Sequence, residues 1–280
     1  MSILVRWGTA LLALTLLASP VLANADLMSA IRERNLPDVR AALDAGADPN
    51  LRVDGSLPLN IAVSFGNVEI IESLLDNGAD PDLTNSQGTT ALMEAAKGFS
   101  RDTEVDAEII RLLLERGANP NIEGFGTALT DAIRFQQPQL ASILLANGAD
   151  PNLAAFDGVP LKVAVRAKSA ESVRLLLEAG ADPDIQDDKG APPLMWAVTA
   201  DYENLEIVRL LLGAGANPNV RGPDGYPLLM IAIEELTNHE IIRALLDAGA
   251  NPDWQNYKGL TAHDLIAAKP EFRDFEHEKL

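Results

Sequence analysis

Short apolar runs alternate with polar turns along most of the chain. One kind of run, such as Val173-Arg174-Leu175-Leu176-Leu177, keeps a polar side chain among its apolar ones, as an amphipathic helix does. A second kind is shorter, such as Ala91-Leu92-Met93-Glu94-Ala95-Ala96. The two kinds follow each other in every period. The pattern therefore predicts pairs of short helices joined by polar turns.

A short tag follows each longer run and sets the period. It reads Gly-Ala-[Asp/Asn]-Pro-[Asn/Asp], and its seven copies are nearly evenly spaced. The copies begin at Gly46, Gly78, Gly117, Gly148, Gly180, Gly215 and Gly249. Glycine readily adopts the left-handed conformation that ends helices, and the proline cannot continue one. So regular a repetition predicts an array in which each unit packs on its neighbours.

These units resemble ankyrin repeats. The segment from Gly88 to Ala96 is similar to the family's Gly-x-Thr-Pro-Leu-His-x-Ala-Ala helix start, and Glu171 to Asp182 is similar to its second helix and turn. The resemblance covers Asp26 to about Lys269. It implies an all-α solenoid of helix–turn–helix units with β-hairpin-like turns and terminal capping repeats. No unit keeps the family's histidine, so fewer hydrogen bonds are expected to brace neighbouring turns.

The tag positions divide the chain into a leader and one repeat domain. The predicted segments are a signal peptide (1–25), an N-terminal cap (26–53), repeats at about 54–86, 87–123, 124–155, 156–188, 189–223 and 224–257, and a C-terminal cap (258–280).

The N-terminal segment 1–25 has the composition of a secretory signal peptide. Arg6 is its only charge, the stretch 10–18 is apolar except for Thr15, and Ala23-Asn24-Ala25 offers a small-x-small cleavage site. The apolar core is short for a transmembrane helix, although an uncleaved anchor is the alternative. We expect cleavage after Ala25, with Asp26 capping the first helix, and export to a bacterial periplasm without membrane insertion.

Charge and cysteine usage narrow the function classes. The net charge of −19 becomes −20 without the leader, because Arg6 is its only charged residue. Such acidity disfavours binding to nucleic acid, whose phosphates it repels. The absence of cysteine excludes disulfides, a thiol nucleophile and cysteine metal ligands. Part of the acidity comes from the aspartates of the tags, which favour turns. We expect the free protein to be a monomer.

Catalytic motifs are missing from the sequence. The histidines at 239, 263 and 277 accompany no nucleophile, and neither a phosphate-binding loop nor a His-Glu-x-x-His motif occurs. Gly124-Phe125-Gly126 falls at a hairpin tip, where turn geometry explains the glycines. Asp187-Asp188 lacks the spaced acids of a calcium loop. The sequence therefore predicts neither an enzyme, nor a cofactor, nor a metal site.

The family resemblance places partner-binding residues on the hairpin tips and at the ends of the first helices. Lys97, Arg134 and Arg166 occupy the same helix-end position in three successive units, with Phe65 and Phe135 beside that row. The cations are predicted to form a ladder for an acidic patch on a partner. The alternative is that they are ordinary solvated residues beside the negative ends of helix dipoles.

Two insertions supply further candidates. The third unit carries an extra stretch around Phe99 and Arg101, and the sixth is lengthened near Tyr202. Insertions in repeat arrays often map to the binding face, although drift in a tolerant loop is equally compatible. Trp196 and Trp254 are interpreted as packing residues. The arginines that recur on the second helices are interpreted as a solvated stripe; these are Arg40, Arg111, Arg174, Arg209 and Arg243.

The sequence thus favours a non-catalytic module that binds one folded protein partner. An inhibitor or immunity role and an accessory role for an enzyme both fit. A multivalent envelope scaffold is the alternative, and a small-molecule or metal binder fits least well, because no polar ligands converge.

Overall fold

The computed structural model describes residues 20–100, 102–199, 204–222, 225–235 and 239–269. These residues form fifteen α-helices in two layers. The first helix of each unit belongs to one layer: α1 (Pro20–Arg32), α3 (Pro58–Ser64), α5 (Ala91–Ala96), α7 (Ala128–Arg134), α9 (Pro160–Arg166), α11 (Pro193–Ala197), α13 (Leu228–Glu235) and α15 (Ala262–Ala268). The second helices form the other: α2 (Leu36–Asp44), α4 (Val68–Asp76), α6 (Thr103–Glu115), α8 (Pro138–Ala146), α10 (Ala170–Glu178), α12 (Leu205–Gly213) and α14 (His239–Asp247).

Helices within a layer pack on their neighbours in the adjacent units, as α3 packs on α5 and α4 on α6. The core between the layers is continuous. Ala95 and Ala96 from a first helix, and Ile110 and Leu113 from a second, are almost completely buried. The all-α array of helix pairs predicted from the repeat is confirmed. Its tips hold only isolated antiparallel bridges in the described residues, at Val53–Ser56, Ala155–Gly158 and Arg221–Pro227.

The tags end the second helices as predicted. Their seven glycines all have φ between 85° and 93°, a region that side-chain-bearing residues rarely adopt. The third tag residue then closes a turn on itself, because its side-chain oxygen accepts a hydrogen bond from the backbone N–H two residues later. In the first tag, Asp48 accepts from Asn50 over 2.8 Å, and in the third, Asn119 accepts from Asn121 over 3.0 Å.

The last tag residue also joins each unit to the next. Its side-chain oxygen accepts a hydrogen bond from the third residue of the following tag, at 2.8–2.9 Å in six successive steps. Where this residue is asparagine, its amide also donates to the glycine carbonyl of the following tag, as Asn121 donates to Gly148 at 2.9 Å. We call these six steps the tag ladder. They fix the register of neighbouring units.

The first helix differs from the prediction at its start. It begins at Pro20, so Asp26 lies inside α1 and is not its N-cap. The reason is an apolar stripe that continues upstream, since Ala23, Leu27 and Ile31 recur at helical spacing on one face and are each about 1% exposed. Asn24 accepts a hydrogen bond from the backbone N–H of Asp48 at 2.7 Å. Most of the predicted leader, 1–19, and the C-terminal tail from 270 lie outside the described residues.

Other groups take over the bracing role of the missing histidine. At that position Asn60 donates to the carbonyl of Thr89 in the next unit at 2.9 Å, and Lys162 forms an ion pair with Asp187 at 2.8 Å. Thr130 closes a capping box with Thr127. Asn60 therefore still bridges neighbouring units and Lys162 reaches the following tip, whereas Thr130 bonds only at the start of its own helix.

Breaking one step of the tag ladder is expected to lower the free energy of unfolding. Asn121→Ala removes two bonds to the next tag and should cost about 2 kcal/mol, since each net hydrogen bond contributes about 1 kcal/mol. Asn147→Ala is the matched control, because Asn147 bonds only within its own helix end, to the carbonyl of Ile143. Urea denaturation followed by circular dichroism measures both. Equal losses in the two variants would contradict the role of the ladder.

Candidate functional site

A groove of about 960 Å³ crosses the face formed by the first helices and the hairpin tips. It spans three consecutive units. Helices α7 and α9 contribute Arg134, Val163 and Arg166, and the tips contribute Phe125 and Phe156. We call this surface the groove face.

Two phenylalanines sit at the apices of neighbouring tips and touch across the gap. The ring centroids of Phe125 and Phe156 are 5.2 Å apart, and the two residues are 59% and 83% exposed. The backbone N–H of Asp157 donates to the carbonyl of Phe125 at 3.1 Å, which ties the two tips together. Gly158, at a φ of 113°, permits the tight turn that turns Phe156 outward.

A second aromatic pair lies at the ends of the first helices. Phe99 and Phe135 meet edge to face with centroids 5.5 Å apart and are 50% and 40% exposed. Phe99 belongs to the insertion of the third unit, after which α6 begins at Thr103 with Asp102 as its N-cap. The insertion therefore carries Phe99 to the neighbouring unit's Phe135. Both residues were predicted as candidates.

Arg134 lies against one ring of the first pair. Its guanidinium lies 5.3 Å from the ring centroid of Phe125, and Phe135 is the next residue in the chain. Asp131, at 3.0 Å, and Asp157 hold the guanidinium by ion pairs. We call Phe99, Phe135, Arg134, Phe125 and Phe156 the aromatic strip. It combines arginine and aromatic side chains, the residue types enriched at protein interfaces.

The predicted ladder of cations is largely neutralised within the chain. Lys97 forms an ion pair with Glu94 at 2.8 Å, while Arg134 is held by two carboxylates. Burial raises the pKa of Asp131. The positive charges of Arg134 and Lys97 act against this rise, and the negative charge of Glu94 adds to it. The charges of neighbouring units are therefore coupled. Of the three cations, Arg166 alone has no ion pair within the described part of the chain. The prediction that all three bind a partner stays a prediction.

Asp187 is a structural bracket at the edge of the groove. It accepts hydrogen bonds from the backbone N–H groups of Lys189 and Ala191, each at 2.9 Å, and from the indole of Trp196 at 3.2 Å. Burial opposes its ionisation, but the Lys162 ammonium and those backbone donors outweigh burial and lower the pKa of Asp187. Its oxygens are thus occupied by protein donors.

The remaining candidates are placed as follows. Phe65 is half-buried, with the guanidinium of Arg34 5.0 Å from its ring centroid. Arg101 and Tyr202 lie outside the described residues. Trp196 packs against the core as predicted, but it also faces Lys162, whose ammonium is 5.2 Å from the ring centroid.

The arginines on the second helices behave as a solvated stripe. Arg174 pairs with Glu206 and Arg209 with Glu240, both at 3.2 Å across neighbouring units. Such exposed pairs contribute little to stability.

Phe125 and Phe156 were missed by the sequence reasoning. Phe125 was attributed to turn geometry because glycines flank it. The available signal was the recurrence of phenylalanine one period further along the chain, at a second tip where polar residues are expected.

Two kinds of feature are absent from the described residues. No helix there is both long and apolar enough to span a bilayer. No set of three or more His, Cys, Asp or Glu side chains there is arranged to hold a metal ion.

Comparison with known proteins identifies the family. The family model for ankyrin repeats (3 copies) matches residues 27–124, 59–155 and 159–264. The chain therefore belongs to the ankyrin-repeat family, as its sequence resemblance indicated. Ankyrin repeats generally mediate protein–protein interactions and are typically non-catalytic.

The chain is similar to bacterial and animal relatives. An ankyrin repeat-containing protein of Treponema pallidum (strain Nichols) is 37% identical over 132 residues, which are 46% of this chain and 42% of that protein. An ankyrin repeat protein of Rickettsia felis is 32% identical over 129 residues, 45% of this chain and 43% of the relative. The chain thus spans less than half the length of these curated relatives.

Solved structures share the fold. The human ASB11 ankyrin repeat domain matches with a TM-score of 0.64 and 28% identity, covering 81% of this chain and 98% of that one. The ankyrin repeat domain of Bcl-3, a member of the IkappaB protein family, matches with a TM-score of 0.68 and 26% identity, covering 79% and 97%.

The Asp187 bracket gives a stability effect that depends on pH. The pKa of Asp187 is below its usual 3.8 in the folded chain, so the folded state binds fewer protons than the unfolded state between the two values. Its stabilisation is therefore complete above about pH 4 and is lost as pH falls through the folded pKa. Asp187→Asn should cost about 2 kcal/mol at neutral pH, and this difference should vanish in stronger acid.

Denaturant unfolding at a series of pH values measures this difference. Asp188→Asn is the control, because Asp188 is exposed and 3.5 Å from Lys162, and its loss should cost under about 0.5 kcal/mol. A pH-independent cost of Asp187→Asn would contradict the assignment.

Proposed function

We propose that this chain is an exported, non-catalytic module that grips one folded protein through the groove face. The observation that carries the proposal is the aromatic strip. Four phenylalanines that could be buried in the core are instead 40–83% exposed on one face. Large apolar side chains exposed as groups on a protein surface are typical of interaction sites.

The composition of the strip suits a binding hot spot. Binding energy concentrates in a few aromatic and arginine side chains surrounded by polar groups. Here Arg134 is fixed by Asp131 and Asp157, so it loses little conformational freedom when a partner packs on it. A partner of standard size covers about 800 Å² on each side, which exceeds the strip and takes in the surrounding groove.

Export to a bacterial periplasm is proposed from the apolar leader. Cleavage after Ala25 removes Ala23 and Asn24 from α1 and leaves Leu27, Met28 and Ile31 to pack on α2 and α3. The identity of the partner then decides between two roles. Tight, long-lived binding to a toxin or hydrolase defines an inhibitor or immunity protein, whereas a stoichiometric complex with an active enzyme defines an accessory factor.

A multivalent scaffold is the second candidate, and a separate aromatic pair favours it. Tyr226 and Tyr257 lie on later tips with centroids 6.1 Å apart, and Tyr257 is 75% exposed. A second partner at that end would make the array a bridge between two proteins.

Removing the tip aromatics is expected to abolish partner capture. Phe125→Ser with Phe156→Ser should weaken binding at least about thirtyfold, which corresponds to a hot-spot loss of about 2 kcal/mol, and should hardly change the unfolding free energy. The measurement is affinity purification from the periplasm with quantitative mass spectrometry, followed by calorimetry with the dominant partner.

Tyr257→Ser is the matched control, since it removes an equally exposed aromatic from another tip. Retention of the partner by the double variant would contradict the proposed site. Loss of one partner in the double variant and of a different one in Tyr257→Ser would favour the scaffold.

The leader is expected to direct export and to be removed. Expressed with its own N-terminus in a bacterium with an outer membrane, the chain should appear in the osmotic-shock fraction with Asp26 as its first residue. Leu14→Arg should retain it in the cytoplasm, because a charge interrupts the apolar stretch. N-terminal sequencing identifies the first residue of the exported protein. Protein from the osmotic-shock fraction that still carries the segment 1–25 would contradict cleavage.

A further inference from the structure

The charge of the groove differs from that of the rest of the molecule. The chain carries 41 acidic and 22 basic residues. Four basic side chains nevertheless line the groove, against three carboxylates. The basic residues are Arg134, Lys162, Arg166 and Lys189, and the carboxylates are Asp157, Asp187 and Asp188. The groove is thus a local exception on a strongly acidic surface.

Two of the three carboxylates are buried in ion pairs with two of the four cations, while the third, Asp188, is 79% exposed. Asp157 pairs with Arg134, and Asp187 and Asp188 pair with Lys162 at 2.8 and 3.5 Å. The side chains of Asp157 and Asp187 are only 7% and 1% exposed, so they are not available to a partner's cations. These pairs form part of the groove wall.

The other two cations face the open groove. Arg166 ends α9, and Lys189 lies on the following tip. Both are exposed, and neither forms an ion pair with any residue that the structure describes. Phe125 and Phe156 line the same groove, so two uncompensated positive charges and an exposed apolar platform share one surface.

We propose that the groove binds a segment of the partner protein in which acidic side chains accompany an aromatic or large aliphatic one. The carboxylates contact Arg166 and Lys189, and the apolar side chain packs on Phe125 and Phe156. This inference rests on the proposed function and adds the chemistry of the partner. It also moves the electrostatic contact from the predicted ladder of Lys97, Arg134 and Arg166 to Arg166 and Lys189.

An acidic protein segment fits better than a nucleic acid. An acidic peptide and a nucleic acid both carry negative charge. A nucleic acid, however, has a phosphate on every nucleotide, so the surrounding acidic surface would repel it. A peptide segment places one or two carboxylates at the groove and keeps neutral or basic residues elsewhere.

Fluorescence anisotropy with short labelled peptides and the full chain tests the proposal. One peptide carries glutamates flanking a phenylalanine, a second carries lysines in their place, and a third keeps the glutamates but replaces the phenylalanine with serine. An oligothymidylate of similar charge is the nucleic-acid probe. The first peptide should bind, more weakly at high salt, and the others should bind at least about tenfold less well, the loss expected for one charged hydrogen bond or apolar anchor.

Charge reversal assigns the contact to the two residues. Arg166→Glu with Lys189→Glu should weaken the first peptide at least about tenfold. Arg111→Glu, an exposed position on the outer layer, is the matched control and should change nothing. The circular dichroism spectrum verifies that each variant remains folded.

Several results would overturn the proposal: no binding of the acidic peptide, equal or tighter binding of the lysine peptide or the oligonucleotide, or no effect of the charge reversal. The purified partner separates this failure from that of the proposed function. If its binding depends on Phe125 and Phe156 but not on Arg166 and Lys189, only the inference about chemistry fails. If it depends on neither pair, both fail.

Discussion

The hydrogen bonds of the tag ladder are the constraint on which the rest of the structure depends. A solenoid has no central core, so each unit must fix its orientation on its neighbour alone. Buried alanines, leucines and isoleucines supply adhesion, but apolar packing is non-directional. The tags supply direction, because the third tag residue closes a turn and the last one bonds to the next unit's backbone. Asn121, for example, accepts from Asp150 at 2.8 Å and donates to Gly148 at 2.9 Å. Tips that are held in register in this way can place Phe125 and Phe156 within ring contact although they belong to different units.

The groove face exposes apolar and basic side chains to solvent, although the protein as a whole is acidic. Most of its charges balance locally, through Glu94 and Lys97, Asp131 and Arg134, and Lys162 and Asp187. Such pairing leaves the exposed aromatic rings and the cations Arg166 and Lys189 as the groups that the proposed partner would contact. Local pairing also orients the groups that remain available, because Arg134 is held between two carboxylates beside the ring of Phe125. Such preorganised side chains would lower the entropy cost of the proposed binding.

The sequence predicted the architecture well because its signals are local and repeated. Tag glycines, prolines and apolar periodicity determine each unit, and seven copies agree. The candidate binding surface was harder to predict. The pairs Lys97–Glu94 and Arg134–Asp131 lie within one helix or its end at i,i+3 spacing, whereas the pair of Arg134 with Asp157 reaches the next tip, which no single-unit pattern shows. The pairing of Phe125 with Phe156 depends on the stacking distance of tips, and the glycines around Phe125 suggested only a turn. In the full chain α1 begins at Pro20 and not at the predicted Asp26. The prediction relied on the cleavage site and did not consider the apolar stripe that continues through Ala23. Phe99 and Phe135 were among the predicted candidates, although their mutual contact was not predicted.

Hydrogen–deuterium exchange of the chain with and without its purified partner tests the central claim most directly. The account predicts that binding protects the tips at 122–127 and 153–159 and the insertion around Phe99, while the second helices on the outer layer exchange as before. Protection confined to α6, α8 and α10, with unchanged exchange at those tips, would contradict it.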